Sequence, residues 1–143
     1  MIWKTKPAME TLNSFSRGTA IEHLDIAFTE IGDDYLKAEM PVNHKTIQPA
    51  GILHGGASVL LAETLGSVAS SLCLDDINQG IPVGVEINAN HIKSARPGEV
   101  VYGIVTPIHI GRKTHVWDIK IYNQKDQLVC ISRLTTMIVA MGA

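Results

Sequence analysis

The sequence predicts an α+β fold in which one antiparallel sheet wraps around a long central helix. Three observations carry this reading. Residues 54–74, HGGASVLLAETLGSVASSLCL, are apolar or small almost throughout, with one formal charge at Glu63. That length suits a helix of about six turns. Four strand-like runs follow it, separated by short breaks. At 143 residues the chain is long enough to close one real core as a single domain, 1–143.

The elements follow in order. Residues 8–17 read as a short helix with Met9, Leu12 and Phe15 on one side. Residues 22–31 and 34–42 read as strands meeting at the turn Gly32-Asp33-Asp34. PVNHKTIQPAGIL is a loop, broken by Pro41 and Pro49. The long helix begins near Gly55 or Gly56. The later strands run over about 82–94, 99–110, 114–122 and 127–140, broken at Arg96-Pro97-Gly98, Gly111-Arg112-Lys113 and Asn123-Gln124-Lys125-Asp126. Breaks this short predict that consecutive strands are antiparallel neighbours. Val83, Val85, Ile87 and Ala89 alternate with Gly84, Glu86, Asn88 and Asn90. Trp117, Ile119 and Ile121 alternate with Val116, Asp118 and Lys120. Both patterns predict one buried face.

Composition narrows the function. A net charge of −2 forces no basic face, so nucleic acid is not an expected partner. Cys73 and Cys130 lie far apart without CxxC spacing and read as buried, reduced thiols. The opening MIWKTKPAMETLNSFSRG lacks the apolar run of a signal peptide. Residues 51–74 approach membrane-spanning length, but Glu63 and the Gly and Ser/Thr content favour a buried helix. A cytoplasmic protein without a membrane partner is expected. The six histidines show no paired ligand spacing, so no metal is expected. His23, His44 and His115 read as solvated, His91 and His109 as either structural or functional, and Trp3 and Trp117 as packing residues.

The long helix divides into stripes at 100° per residue. Leu61, Leu65, Val68 and Leu72 form a bulky stripe suited to the sheet. Val59, Glu63, Gly66, Ser67 and Ser70 form a small, semi-polar one that would face a closely apposed surface, either a second subunit or a ligand. Two roles stay open for Glu63. It is either an interface carboxylate tied to Ser67 or backbone, or a general base or nucleophile in a dry site, where desolvation lifts its pKa. Gly55 and Gly56 either permit a tight entry into the helix or expose N–H groups that polarise a carbonyl. Gly55 and Glu63 stand about 12 Å apart along one helix. A reacting carbonyl must touch both its donor and its attacker. If both are functional, two antiparallel helices from two subunits must supply them, giving a homodimer with sites across the interface.

At these residues the chain resembles the hotdog-fold acyl-CoA thioesterases that carry Glu on the central helix. The matching blocks are MIWK, Gln48-Pro49, GILHGGASVLLAETLGSVA, VGVEINANHIKSAR, TPIHIG and SRLTT. The resemblance implies that Glu63 is nucleophile or general base, that the Gly55 N–H polarises the thioester carbonyl, and that Gln48 and His54 position the thioester. Ser67 would orient water or the carboxylate. Gly84, His91, Ile92, Lys93, Ser94, His109, Ile110, Gly111, Arg112, Lys113 and Thr114 would line the CoA channel, with Lys93, Arg112 and Lys113 facing phosphates. Three departures stand out: Lys93 replaces an expected Arg, Arg112-Lys113-Thr114 is an unusual turn, and Ala50 replaces an aromatic residue after Gln-Pro.

The resemblance also implies a homodimer as catalytic unit, assembled as a homotetramer, with no cofactor. The expected substrate is an aromatic acyl-CoA, 1,4-dihydroxy-2-naphthoyl-CoA first, as in menaquinone synthesis. An aryl group on an acyl carrier protein comes next, then medium-chain acyl-CoA. Two rivals are a hotdog dehydratase using His54 and a non-catalytic acyl-CoA binding module. His-Gly-Gly in place of His-Phe-Pro argues against the first, and the lack of spare residues for a partner domain argues against the second.

Overall fold

The computed structural model describes residues 1–76 and 80–141. Two short helices, α1 (Met9–Ser14) and α2 (Ala20–His23), precede strands β1 (Ala27–Ile31) and β2 (Leu36–Pro41). The long helix α3 (Gly55–Leu72) follows, then β3 (Ile81–His91), β4 (Val100–Ile110), β5 (Thr114–Tyr122) and β6 (Leu128–Val139). All six strands form one antiparallel sheet in the order β1-β2-β4-β5-β6-β3.

The expectation that consecutive strands are neighbours holds for β1–β2, β4–β5 and β5–β6 and fails for β3–β4. Residues 92–99 do not turn back as a hairpin. Their backbone is stitched successively to three other segments. Ile92 and Lys93 donate to Val129 O, Leu53 donates to Ala95 O, and Gly98 donates to Val42 O. The segment thus crosses from the β6 side to the end of β2, which leaves β3 on the outer edge beside β6.

The strand expected over 22–31 is also corrected. Its first residues complete α2, whose N-cap Thr19 accepts from Ile21 N–H. Asp25, at φ 57°, then turns the chain before β1 begins at Ala27. In the first helix Leu12 is buried, but Phe15 lies past the last helical residue and is 74% exposed, off the expected stripe. A bulge between Gly84 and Glu86 breaks the alternation of β3, so Val85 faces outward at 52% exposure.

The sheet curls around α3, which touches β2 through β6. Leu61, Leu65 and Leu72 lie in the core as expected. Gly66 and Ser70, placed on the outward stripe by the helical wheel, are buried too. A sheet that meets the helix with five of its strands takes in more than one stripe. A Cβ at Gly66 would lie 2.4 Å from Leu134 Cδ2, and one at Gly103 would lie 2.6 Å from Leu65 Cδ1. The two glycines let helix and sheet approach this closely.

Ser70 Oγ anchors a buried polar cluster. It accepts from Trp117 Nε1 at 2.7 Å and pairs with His115 Nδ1 at 3.0 Å and Thr136 Oγ1 at 2.8 Å. His115 is therefore not solvated, since it is in phase with the buried Trp117, Ile119 and Ile121 on β5. Burial pushes its imidazole pKa down. Trp117 also stacks on Trp3, with ring centroids 6.4 Å apart, so both tryptophans pack as expected. Cys73 and Cys130 are free and buried, and burial pushes the Cys73 thiol up to about 11. Among the described residues, no helix is long and apolar enough to cross a membrane.

Candidate active site

The beginning of α3 is capped by His54, whose Nδ1 accepts from Gly56 N–H at 2.7 Å. Of the two glycine donors, Gly56 is thus engaged. Gly55 N–H has no partner among the described residues. His91 lies over this position: a Cβ at residue 55 would come within 2.7 Å of its Nε2. Gln48 is fixed nearby in a tight turn. Its backbone N–H donates to Ile52 O, its carbonyl accepts from Gly51, and its Oε1 accepts from Ala50 N–H. A cleft of about 290 Å³ brings together Gln48, Gly55, Ser58, His91, Lys93 and Ser94. One free N–H at a helix N-terminus, within such a cleft, is able to polarise a carbonyl placed there.

Glu63 projects from the middle of α3 into a different hollow of about 440 Å³, on the one side the sheet leaves open. Ile21, Val59, Leu60 and Ser67 are among its walls. Glu63 is half-buried. Among the described residues no donor or cation engages its carboxylate, so within one chain neither Ser67 nor backbone ties it down. The carboxylate instead lies against β3, where a Cβ at Gly84 would stand 3.0 Å from Oε2. Gly84 sits beside the β3 bulge and pairs with Thr136. A carboxylate free of partners and backed by bare backbone is placed to accept a proton or attack a carbonyl.

The remaining expected residues lie elsewhere. His109, Gly111, Arg112, Lys113 and Thr114 share a hollow at the β4–β5 turn. Ile110, Gly111, Arg112 and Lys113 line another with Cys73, Leu74 and Asp75, which marks this as the C-terminal end of α3. Within one chain the expected site therefore falls into three clusters along the helix, and Gly55 and Glu63 line separate hollows. Sequence reasoning missed Ile21 as a wall of the Glu63 hollow, because the residues after it were read as strand. The Thr19 cap signal was there to be found. Among the described residues, no cluster of His, Cys, Asp and Glu is arranged to hold a metal ion.

Comparison with known proteins places these clusters in context. The model of the thioesterase superfamily matches residues 50–130. The chain is 52% identical to the 1,4-dihydroxy-2-naphthoyl-CoA hydrolase of Escherichia coli, covering 96% of this chain and 99% of that protein. It is 49% identical to the proofreading thioesterase EntH of Cronobacter sakazakii, covering 96% and 98%. The crystal structure of a thioesterase from Haemophilus influenzae superposes with a TM-score of 0.94 at 44% identity, over 100% of this chain and 98% of that one.

Proposed function

The chain belongs to the thioesterase superfamily, and from that premise we propose that it hydrolyses aromatic acyl-CoA thioesters, 1,4-dihydroxy-2-naphthoyl-CoA first, to the carboxylic acid and free CoA. The observation that carries the reading is the Glu63 carboxylate against Gly84, on the open side of a helix, with neither it nor the helix's first N–H partnered among the described residues. The high identity to a hydrolase named for 1,4-dihydroxy-2-naphthoyl-CoA supports the acyl group. The similar identity to a proofreading thioesterase supports a second substrate, an aryl group borne by a carrier protein.

In the proposed reaction the Gly55 N–H donates to the thioester oxygen as negative charge develops there. Glu63 either takes a proton from the attacking water or attacks the carbonyl itself, giving an acyl anhydride that water then opens. The C–S bond breaks, and the sulfur leaves as the CoA thiol after taking up a proton. Gln48 and His54 position the thioester end, and Ser67 orients the water. His54 can do so only through Nε2, because Nδ1 is spent on the cap. Since Gly55 and Glu63 lie too far apart on one helix, a second copy running antiparallel brings one chain's Glu63 to the other's Gly55. The His109 to Thr114 cluster then joins the channel from a neighbouring subunit. A homodimer is the proposed catalytic unit, within a homotetramer in the cytoplasm.

The testing experiment is thiol release from benzoyl-CoA, 1,4-dihydroxy-2-naphthoyl-CoA, a hydroxybenzoyl-loaded carrier protein and decanoyl-CoA. The naphthoyl thioester is expected to show the highest kcat/KM. A higher value on the carrier protein would favour the second substrate, and no turnover on any of the four would remove the enzyme reading.

Gly84 offers a sharper probe of geometry. In Gly84→Ala the new methyl would stand 3.0 Å from Glu63 Oε2, so the carboxylate must shift by a few tenths of an ångström. The expected result is a loss of about ten- to a hundredfold in kcat with little change in thermal stability. Unchanged kinetics would mean that Glu63 does not react from this position.

A further inference from the structure

Among the described residues that line the Gln48–Gly55 cleft, Ser58 alone is both polar and buried, at 1% exposure. Its backbone N–H donates to His54 O at 3.3 Å. Its hydroxyl has no hydrogen-bond partner among the described residues. Other hydroxyls of the same helix are engaged, Ser70 in the Trp117 cluster and Ser71 on Ser67 O. A hydroxyl shut away from water without a partner is costly, and folds keep few of them. Among the described residues, no side-chain nitrogen or oxygen is wholly enclosed and unpaired. The Ser58 hydroxyl therefore keeps an opening, and the cavity it lines is this cleft.

Helix geometry says which way the hydroxyl leans. Ser58 stands three residues beyond Gly55, about 4.5 Å along the axis. Side chains of a helix tilt toward its N-terminus and cover the turn before them. The same i, i+3 relation lets the N3 side chain of a capping box reach back to the N-cap N–H. Ser58 thus leans toward the Gly55 N–H without bonding to it. The neighbouring Gly56 N–H is held by His54. Two donors, one backbone and one hydroxyl, therefore stand unpartnered side by side on one cleft wall, where an oxygen between them would be held by both.

We propose that the Ser58 hydroxyl is a second donor to the thioester carbonyl oxygen, completing with the Gly55 N–H a two-donor site for the charge that develops there. The inference rests on the reading that this cleft accepts a thioester carbonyl. As the nucleophile adds to carbon, the C=O π pair moves onto oxygen and both hydrogen bonds tighten. When the C–S bond breaks, the pair returns and the carbonyl re-forms. Ser58 keeps its proton throughout and is neither base nor nucleophile.

The test is steady-state thiol release by Ser58→Ala, joined to the infrared carbonyl band of isotope-labelled benzoyl-CoA bound to Glu63→Gln with and without Ser58→Ala. Ser58→Ala is expected to lose about 10²-fold in kcat, the scale for removal of one such donor. Its melting temperature should hold or rise, because the methyl replaces a hydroxyl that had no partner. Ser58→Cys keeps the volume and a weaker donor, so its kcat should fall between the two. The bound carbonyl band should lie below that of free benzoyl-CoA and move back up when the hydroxyl is removed. Full activity in Ser58→Ala beside an inactive Glu63→Gln would overturn this role and leave the catalytic reading standing. A loss confined to KM would overturn it too, as would a loss of kcat with no movement of the band, which marks a packing residue. If wild type releases no thiol from any thioester, the catalytic reading has failed, and the band of benzoyl-CoA mixed with wild type and with Ser58→Ala decides the hydroxyl separately. A lower band with wild type supports it, and identical bands overturn it.

Discussion

Glu63→Gln is expected to lower kcat for aromatic acyl-CoA hydrolysis by about 10²- to 10⁴-fold, the range over which a positioned base contributes. The substitution keeps the shape of the side chain and removes only its capacity to accept a proton or to attack. Glu63 has no hydrogen bond or ion pair to lose among the described residues, so no structural partner is left stranded. The melting temperature should therefore hold within a few degrees, while steady-state thiol release collapses. KM should change much less than kcat, because the role proposed for Glu63 lies at the bond-breaking step. A variant within about threefold of wild type would be incompatible with a catalytic carboxylate and would make Glu63 an interface residue. Single-turnover quench would then separate the two chemical routes. An acyl group trapped on wild-type protein marks nucleophilic attack, and its absence marks activated water.

Trp117→Ala is expected to carry the largest stability cost, about 3–5 kcal/mol. Trp117 is fully buried, stacks on Trp3 and donates to Ser70 Oγ. Truncation empties a large volume at the contact between α3 and β5 and removes one of the groups holding Ser70. Trp117→Phe separates these effects, because it retains most of the apolar volume and deletes the indole donor. Its expected cost is about 1–2 kcal/mol. Urea unfolding at fixed protein concentration measures both, and an unchanged slope would show that stability alone has moved. If the two variants cost the same, the hydrogen bond outweighs the packing.

The architecture was legible because its signals are strong and local. The long run with its single charge gave α3 to within two residues at its C-terminal end, and alternation gave β5 with the correct buried face. Strand adjacency was not legible. A break of Arg-Pro-Gly reads as a hairpin, and only the bonds to Val129, Leu53 and Val42 turn it into a crossing. The wheel also misplaced Gly66 and Ser70, since periodicity reports faces but not how far a sheet curls around them. His115 was misread by residue type, although its phase with Trp117 carried the right answer. Of the candidate site, the residues alone left Gly55 and Gly56 equivalent, and only the resemblance named Gly55; among the described residues its N–H has no partner while Gly56 N–H is taken by the His54 cap. Glu63 stood out as the one charge of the run. The Gly84 contact depends on a bulge, which alternation does not reveal.

The strand order has a consequence for how the protein is made. Among the described residues β3 pairs only with β6, the last strand in chain order, so the Gly84 surface behind Glu63 has no neighbouring strand to hold it until β6 has emerged. During synthesis β1, β2 and α3 can begin to associate, while β3 waits with both long edges unpaired. Pairings this distant in sequence are slow to close, and an exposed edge is prone to aggregate in the interval. The wall behind Glu63 is thus among the last parts of the fold to form. A nascent chain would gain a core well before it gained an enzyme, and refolding should recover tryptophan burial ahead of activity.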